Sequence, residues 1–100
     1  MNKYLFYIGK NDKDQRKQIL SDAEFINYIS QCFKNFTVTE SIGYYTYEDG
    51  YTEQEKSLVV TVFNHIYKSD LIKIVDYLKT TLNQESIGVE IVNDCNIMFI

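Results

Sequence analysis

The chain has 100 residues, of which 45% are hydrophobic and 24% charged, and its formal net charge is −4 at pH 7. This length predicts one domain, residues 1–100, that buries its core without a metal or a disulfide. The acidic balance argues against direct nucleic-acid binding, and no apolar run is long enough for a membrane span. Without a secretory signal pattern, we expect a cytoplasmic protein whose Cys32 and Cys95 are reduced.

The first quarter of the chain predicts a strand, a loop and a helix. Residues 4–8 are a short run of β-formers that is apolar on both faces and is closed by Gly9, which is typical of a central strand. The basic residues of 10–17 alternate with aspartates and predict a solvated loop. Ser21 and Glu24 then match a capping box, and Phe25, Ile29 and Phe33 give the following helix an apolar stripe. We expect this helix to end near residue 35.

The stretch 36–65 predicts a long hairpin around Asp49-Gly50, a dipeptide that favours tight turns. A plain two-residue turn would set Val60 opposite Thr39, which puts the apolar sets of the two strands on opposite faces. A bulge near Gly43 or a longer loop would restore the match. We therefore expect an irregular hairpin between residues 43 and 56.

The last third predicts a helix and two further β segments. Ser69 or Asp70 is the expected cap of a helix whose apolar residues recur at helical spacing from Leu71 to Leu82. Residues 86–92 alternate as a half-buried strand does, and residues 96–100 form a fifth apolar segment. The order is β-α-β-β-α-β with a C-terminal β extension. It predicts an α+β, ferredoxin-like sandwich with two helices on one face of an antiparallel sheet.

The hairpin carries the candidate binding residues. Four of the nine tyrosines lie near its tip, and tyrosine is enriched at interfaces. Glu53 and Glu55 lie two apart on a strand and would share one face. The predicted binding residues are Tyr44, Tyr45, Tyr47, Tyr51, Glu53 and Glu55, with cross-strand packing of the tyrosines and a solvated acidic flank as the alternatives.

No catalytic residue is assigned from the sequence. His65, the single histidine, has no partner that spacing identifies, so a surface or capping role is expected. Glycine motifs for phosphates and Cys/His spacings for zinc are absent from the sequence. We therefore expect no cofactor and no metal.

Four segments carry a resemblance to known proteins: Phe36-Thr37-Val38, Gly43-Tyr44-Tyr45, Gly50 and the run from Glu55 to Val60. In these segments the chain resembles a family of short uncharacterised bacterial ferredoxin-like proteins and, more distantly, the PII and CutA group. The nucleotide-binding glycine pattern of PII proteins is absent. The resemblance implies a non-enzymatic oligomeric or ligand-sensing module.

Three functions follow as hypotheses. The first is a binding or regulatory module that self-associates as a dimer or trimer and uses the hairpin 43–56 to contact a partner protein or a small ligand. The second is a phage or mobile-element inhibitor that blocks a host nucleic-acid enzyme. The third is a small cofactor-free ferredoxin-like dimeric enzyme with His65, Tyr45 or Glu55 at the sheet cleft.

Overall fold

The computed structural model describes residues 1–46 and 48–98, with only the backbone of Tyr45. Its elements are β1 (Asn2–Gly9), α1 (Asp22–Ser30), β2 (Thr37–Thr46), β3 (Thr52–Asn64), α2 (Lys68–Thr81) and β4 (Gly88–Val92). The described strands form one antiparallel sheet in the order β2-β3-β1-β4, with β1 in the centre, as expected, beside β3. The predicted ferredoxin-like α+β fold is confirmed. Neither α1 nor α2 has the length and hydrophobicity that a membrane crossing requires.

The core lies between the sheet and the two helices. Alternate residues of β1 and β3 point toward the helices and are buried, as period-two alternation requires. Of the predicted stripe, Phe25 and Ile29 lie on α1 and Phe33 lies just after it; all three are buried, and the Phe33 ring lies 5.1 Å from that of Phe6. Neither α1 nor α2 covers the opposite face of the sheet. Its central side chains, such as Leu5 and Val59, are therefore only half-buried.

The two helices begin in different ways. At α1 the capping box is present: the Ser21 hydroxyl accepts from the Glu24 amide, and the Glu24 carboxylate accepts from the Ser21 amide. This helix ends at Ser30, earlier than predicted. At α2 the prediction of Ser69 or Asp70 as the cap is wrong, because the N-cap is Tyr67 and its side chain makes no capping bond.

The β2–β3 hairpin has a regular ladder. Val38 lies opposite Val60, so the apolar residues of both strands share the helix-facing side. Pairing continues without a bulge through Gly43 and Glu55 to Thr46 and Thr52, which five residues separate. Of the two predicted ways to bring the apolar residues onto one face, the structure uses the longer loop and not a bulge near Gly43. The prediction of irregular pairing between residues 43 and 56 is therefore wrong for the paired strands. Beyond the end of β1, residues 42–46 and 52–56 form a two-stranded ribbon.

The C-terminal segment follows β4 without forming a strand in its described part. Residues 95–98 have no regular secondary structure, and the Cys95 amide donates to the Met1 carbonyl at 2.8 Å. The predicted C-terminal β extension is therefore absent from residues 95–98. Its last two residues, 99 and 100, lie outside the described residues.

Candidate functional site

A cleft of about 600 Å³ opens at the end of the sheet where β1 meets the base of the hairpin ribbon. One wall comes from the open face of β1 and β3, a second from the loop that follows β1, and a third from the segment that joins α2 to β4. Four acidic and two basic side chains line the cleft. Its lining is Tyr7, Gly9, Asn11, Asp12, Lys13, Arg16, Glu53, Glu55, Gln84, Glu85, Ser86 and Gly88.

Glu55 is the most constrained acidic side chain of the cleft. Its carboxylate lies directly over Gly9, where an added Cβ would stand 2.5 Å from Oε1 and 2.9 Å from Oε2. Its Oε2 accepts a hydrogen bond from the Asn11 amide at 3.1 Å. A glycine is therefore required beneath the carboxylate for this close approach. The carboxylate is folded inward across the end of β1 instead of extending into solvent.

This position changes the acidity of Glu55. Burial raises the pKa of the carboxyl, the Asn11 amide acts to lower it, and the neighbouring negative charge of Glu53 acts to raise it, with a net rise. A carboxyl whose pKa is raised in a cleft is a typical feature of functional sites, because the fold tolerates the cost of burying its charge.

Tyr7 forms the floor of the cleft beside β4. Its hydroxyl donates to Glu90 Oε1 at 2.6 Å across the β1–β4 pair. This hydrogen bond to a carboxylate is the main reason that the pKa of Tyr7 is raised. Its ring packs on the backbone of Gly88, where an added Cβ would lie 3.5 Å from ring atom Cδ2. An aromatic face is thus held on the floor of an acidic cleft.

The loop after β1 is not the fully solvated segment that the sequence predicted. Lys10 is only 2% exposed, and its Nζ lies 3.1 Å from Asp22 Oδ1 and 2.8 Å from Glu40 Oε1. Desolvation acts to lower the pKa of Lys10, but the hydrogen bonds that its ammonium donates to Glu40 and Asp22 outweigh it and raise the pKa. Lys10 thus ties the start of the loop to the N-terminus of α1 and to β2.

The predicted binding residues are divided between places. Glu53 and Glu55 share the open face, as expected, and both line the cleft. Tyr44 and Tyr51 are 67% and 63% exposed and lie outside the cleft lining. The Tyr45 backbone pairs with Glu53, whereas Tyr47 lies outside the described residues. The binding roles of these six residues stay predictions.

The remaining candidates lie away from the cleft. His65 follows the far end of β3, about 30 Å from Glu55 at the usual rise per residue, and its ring meets Tyr67 edge-on at 5.0 Å. The structure does not bring His65 and Glu55 together. Cys32 and Cys95 are both free, and burial raises the pKa of Cys32. Among the described residues, no three His, Cys, Asp or Glu side chains are grouped to hold a metal ion.

Sequence reasoning missed Gly9, Asn11, Tyr7 and Gln84. Gly9 was interpreted only as the end of a strand, although a glycine in a strand also signals close approach of another group. Asn11 contributes its backbone amide, which leaves no trace in a pattern of side chains. Gln84 follows Leu82, the last residue of the predicted apolar pattern, and belongs to no motif of the sequence.

Comparison with known proteins gives a fold but not a family. No protein-family model matches the chain, and no curated protein matches it. Among solved structures, a phage SAM lyase in its apo state has a TM-score of 0.68 at 19% identity, covering 91% of this chain and 78% of the lyase. The lyase in complex with S-methyl-5'-thioadenosine gives a TM-score of 0.62 at 20% identity, covering 91% and 79%.

Two CutA proteins have the same fold. CutA1 from Pyrococcus horikoshii OT3 has a TM-score of 0.55 at 16% identity, covering 93% of this chain and 86% of that protein. The periplasmic divalent cation tolerance protein CutA from Archaeoglobus fulgidus has a TM-score of 0.56 at 10% identity, covering 97% and 88%. The distant similarity to the CutA group that the resemblance predicted is confirmed at the level of the fold.

Proposed function

We propose that this chain binds S-adenosylmethionine in the cleft beside Glu55 and splits it to S-methyl-5'-thioadenosine, as a SAM lyase. The observation that carries the proposal is the inward-turned Glu55 carboxylate in an acidic cleft of about 600 Å³. This volume is in the range of small-molecule sites. The phage SAM lyase supports the choice of ligand, because its fold matches 91% of this chain.

The charges of the cleft suit this ligand. The substrate carries a sulfonium and an ammonium, both cationic, and one carboxylate. Glu55 and Glu53 offer negative charge on the sheet side, whereas Lys13 and Arg16 line the loop side. The exposed ring of Tyr7 offers a face on which a ligand cation is attracted. With the sulfonium toward Glu55, Glu53 and Tyr7 and the substrate carboxylate toward Lys13 and Arg16, unlike charges meet on both sides, which selects one orientation.

The reaction requires little chemistry from the protein. The bond between the sulfonium sulphur and the γ-carbon of the amino-acid part breaks, and the neutral thioether leaves with the electron pair. The carboxylate of the substrate closes on that carbon as a lactone, so no water or cofactor enters the balance. Because the step is unimolecular, the protein accelerates it mainly by holding the carboxylate in line with the breaking bond.

The test is incubation of the purified chain with S-adenosylmethionine, with chromatography and mass spectrometry of the products. Wild type should release S-methyl-5'-thioadenosine, and Glu55→Gln should slow its release at least about tenfold through loss of a charged contact. Glu48→Gln makes the same change on the exposed hairpin loop and should keep the wild-type rate. Absence of both binding and product for wild type refutes the proposal.

A second candidate is a non-enzymatic binding or regulatory module that uses the tyrosine-rich hairpin 43–56 to contact a partner protein or a small ligand. It is favoured by the exposure of Tyr44 and Tyr51 near the hairpin tip, which places two aromatic side chains at the surface. Calorimetry with S-adenosylmethionine separates the module from the lyase, because binding without release of S-methyl-5'-thioadenosine supports the module. A pull-down with wild type and with Tyr44→Ala, Tyr51→Ala tests the partner, including a nucleic-acid enzyme as the inhibitor hypothesis requires.

Self-association belongs to both candidates. The apolar side chains of Leu5, Val59 and Phe63 are half-buried on the open sheet face, which neither α1 nor α2 covers. A second copy of the chain would cover them. Light scattering on wild type and on a chain truncated after Asn93 measures the assembly. A wild-type dimer or trimer with a monomeric truncation supports an assembly role for the C-terminal segment, whereas two monomers contradict self-association.

A further inference from the structure

We infer that Gln84 is a positioning residue that holds the Glu55 carboxylate in the cleft through the backbone of Asn11. This inference rests on the proposed function only in taking Glu55 as the group that meets the ligand. Gln84 itself is buried, with 8% of its surface exposed.

The geometry is a relay across three elements. The Gln84 side-chain amide donates to the Asn11 carbonyl at 2.9 Å and to the Leu82 carbonyl at 3.3 Å. The Asn11 amide in turn donates to Glu55 Oε2 at 3.1 Å. Both backbone polar groups of Asn11 are therefore used, one by Gln84 and the other by Glu55. Any shift of Asn11 changes the hydrogen bond that holds the carboxylate.

The end of α2 explains why Gln84 reaches the loop. The backbone amide of Gln84 donates to the Lys79 carbonyl at 2.9 Å, and the backbone amide of Asn83 donates to the Thr80 carbonyl at 3.4 Å. This is the pattern of a Schellman motif. Asn83 has φ 49°, the left-handed conformation that the motif needs and that asparagine tolerates. The chain thus reverses sharply, and the side chain of Gln84 is directed back under the loop.

Asn83 fixes the same loop from the other side. Its side-chain amide donates to Asp12 Oδ1 at 2.7 Å and to Asp14 Oδ2 at 2.9 Å, and its carbonyl accepts from the Lys13 amide at 3.1 Å. The loop after β1 is therefore attached to α2 by both backbone and side-chain bonds. Asn11 is held firmly enough for its amide to define where the carboxylate lies.

Gln84 can be replaced without changing any charge near Glu55. Glu53 lies on the same strand, and Tyr7 lies on β1. The remaining titratable or charged groups that line the cleft are Asp12, Lys13 and Arg16 of the loop and Glu85 before β4. Gln84 is neutral, so its replacement by methionine, of similar length, removes the hydrogen-bond donor without altering any of these charges. A change in Glu55 then reports on geometry alone.

The experiment is performed on the free protein by NMR. The carboxyl carbon of Glu55 is titrated, and hydrogen exchange of the Asn11 amide is followed, in wild type and in Gln84→Met. The variant should raise the pKa of Glu55, because the carboxylate stays buried and its stabilising amide is weakened. Exchange at Asn11 should accelerate roughly fivefold, as expected for loss of one ordinary hydrogen bond.

Gln54→Met is the matched control, because Gln54 adjoins Glu55 on β3 but is exposed on the opposite face. It should leave both measurements at their wild-type values. If Gln84→Met lowers the free energy of unfolding while the titration of Glu55 and the exchange of Asn11 stay unchanged, Gln84 is merely structural and the inference is wrong. If Gln84→Met does not fold, Gln84→Asn, which shortens the donor by one methylene, should give the same directions.

The two proposals fail separately. The titration and the exchange measurement need no ligand, so a wild-type chain that neither binds nor splits S-adenosylmethionine overturns the proposed function and leaves this test intact. Conversely, an active lyase with an unchanged Glu55 titration in Gln84→Met overturns only the role of Gln84.

Discussion

Gly9→Ala is the sharpest single perturbation of the cleft. The added Cβ would stand 2.5 Å from Glu55 Oε1, 2.8 Å from Cδ and 2.9 Å from Oε2, whereas ordinary contact begins at 3.4 Å. The carboxylate must therefore retreat by about 0.9 Å, the difference between 3.4 and 2.5 Å. Its hydrogen bond to Asn11, now 3.1 Å, is then lost.

The expected changes in affinity, stability and pKa follow from the displacement of the Glu55 carboxylate. A hydrogen bond to a charged group is worth about 1.5–3 kcal/mol, so a Glu55 carboxylate displaced from its contact with S-adenosylmethionine should lower the affinity roughly ten- to a hundredfold. The free energy of unfolding should change by less than about 1 kcal/mol, because the released carboxylate regains its hydration and alanine reduces the freedom of the unfolded chain. The pKa of Glu55 should fall, since burial no longer raises it.

Calorimetry with S-adenosylmethionine, urea denaturation and carboxyl titration by NMR measure these three quantities. Gly88→Ala is the control, because its Cβ would meet the Tyr7 ring at 3.5 Å, an ordinary contact, and it should leave the Glu55 titration and the stability unchanged. A Gly9→Ala variant that keeps both wild-type affinity and the wild-type Glu55 pKa would refute the reasoning. A loss of several kcal/mol would show that the backbone, not Glu55, yields to the methyl group.

Three further predictions concern single side chains. The pKa of Glu55 is raised in the folded protein, so its ionisation lowers the free energy of unfolding as the pH rises from the ordinary pKa near 4.5 through the folded pKa. Glu55→Gln should therefore be more stable than wild type at pH 7 but not at pH 3. Urea denaturation at both pH values measures this difference. Lys10→Met should lower the free energy of unfolding by about 1 kcal/mol or less, because its two exposed carboxylate partners regain water. A loss above about 3 kcal/mol in urea denaturation contradicts this prediction. Tyr4→Phe should lower the free energy of unfolding by about 1–3 kcal/mol, because the Tyr4 hydroxyl donates to the Ile66 carbonyl and accepts from the Ile66 backbone amide, both at 3.1 Å. A thermal unfolding curve equal to that of wild type would show that water replaces the hydroxyl.

The sequence predicted the features that depend on nearby residues. The capping box of Ser21 and Glu24 is a local pattern, and α1 begins there as expected. The start of α2 was mispredicted because a distant contact governs it. The Tyr4 hydroxyl, 62 positions away, binds both backbone groups of Ile66 and fixes the chain just before the helix. No local pattern contains that information.

The same distinction separates the predicted half of the site from the missed half. The spacing of Glu53 and Glu55 suffices to put both on one face of a strand. Their surroundings come from Asn11, which is 44 positions from Glu55, and from Gln84, which is 73 positions from Asn11. Lys10 was expected in solvent because aspartates flank it nearby, whereas its burial depends on Glu40, 30 positions away. Local charge patterns do not report such packing.

The regular ladder of the hairpin has a consequence for how this chain tolerates change. Because the pairing of Val38 with Val60 is set by the shared core face, the loop between Thr46 and Thr52 only has to span the gap. Insertions there lengthen a surface connection at a slowly growing entropic cost and do not alter the pairing below it. The hairpin tip is thus a suitable place to graft a peptide tag or to introduce new chain ends by circular permutation.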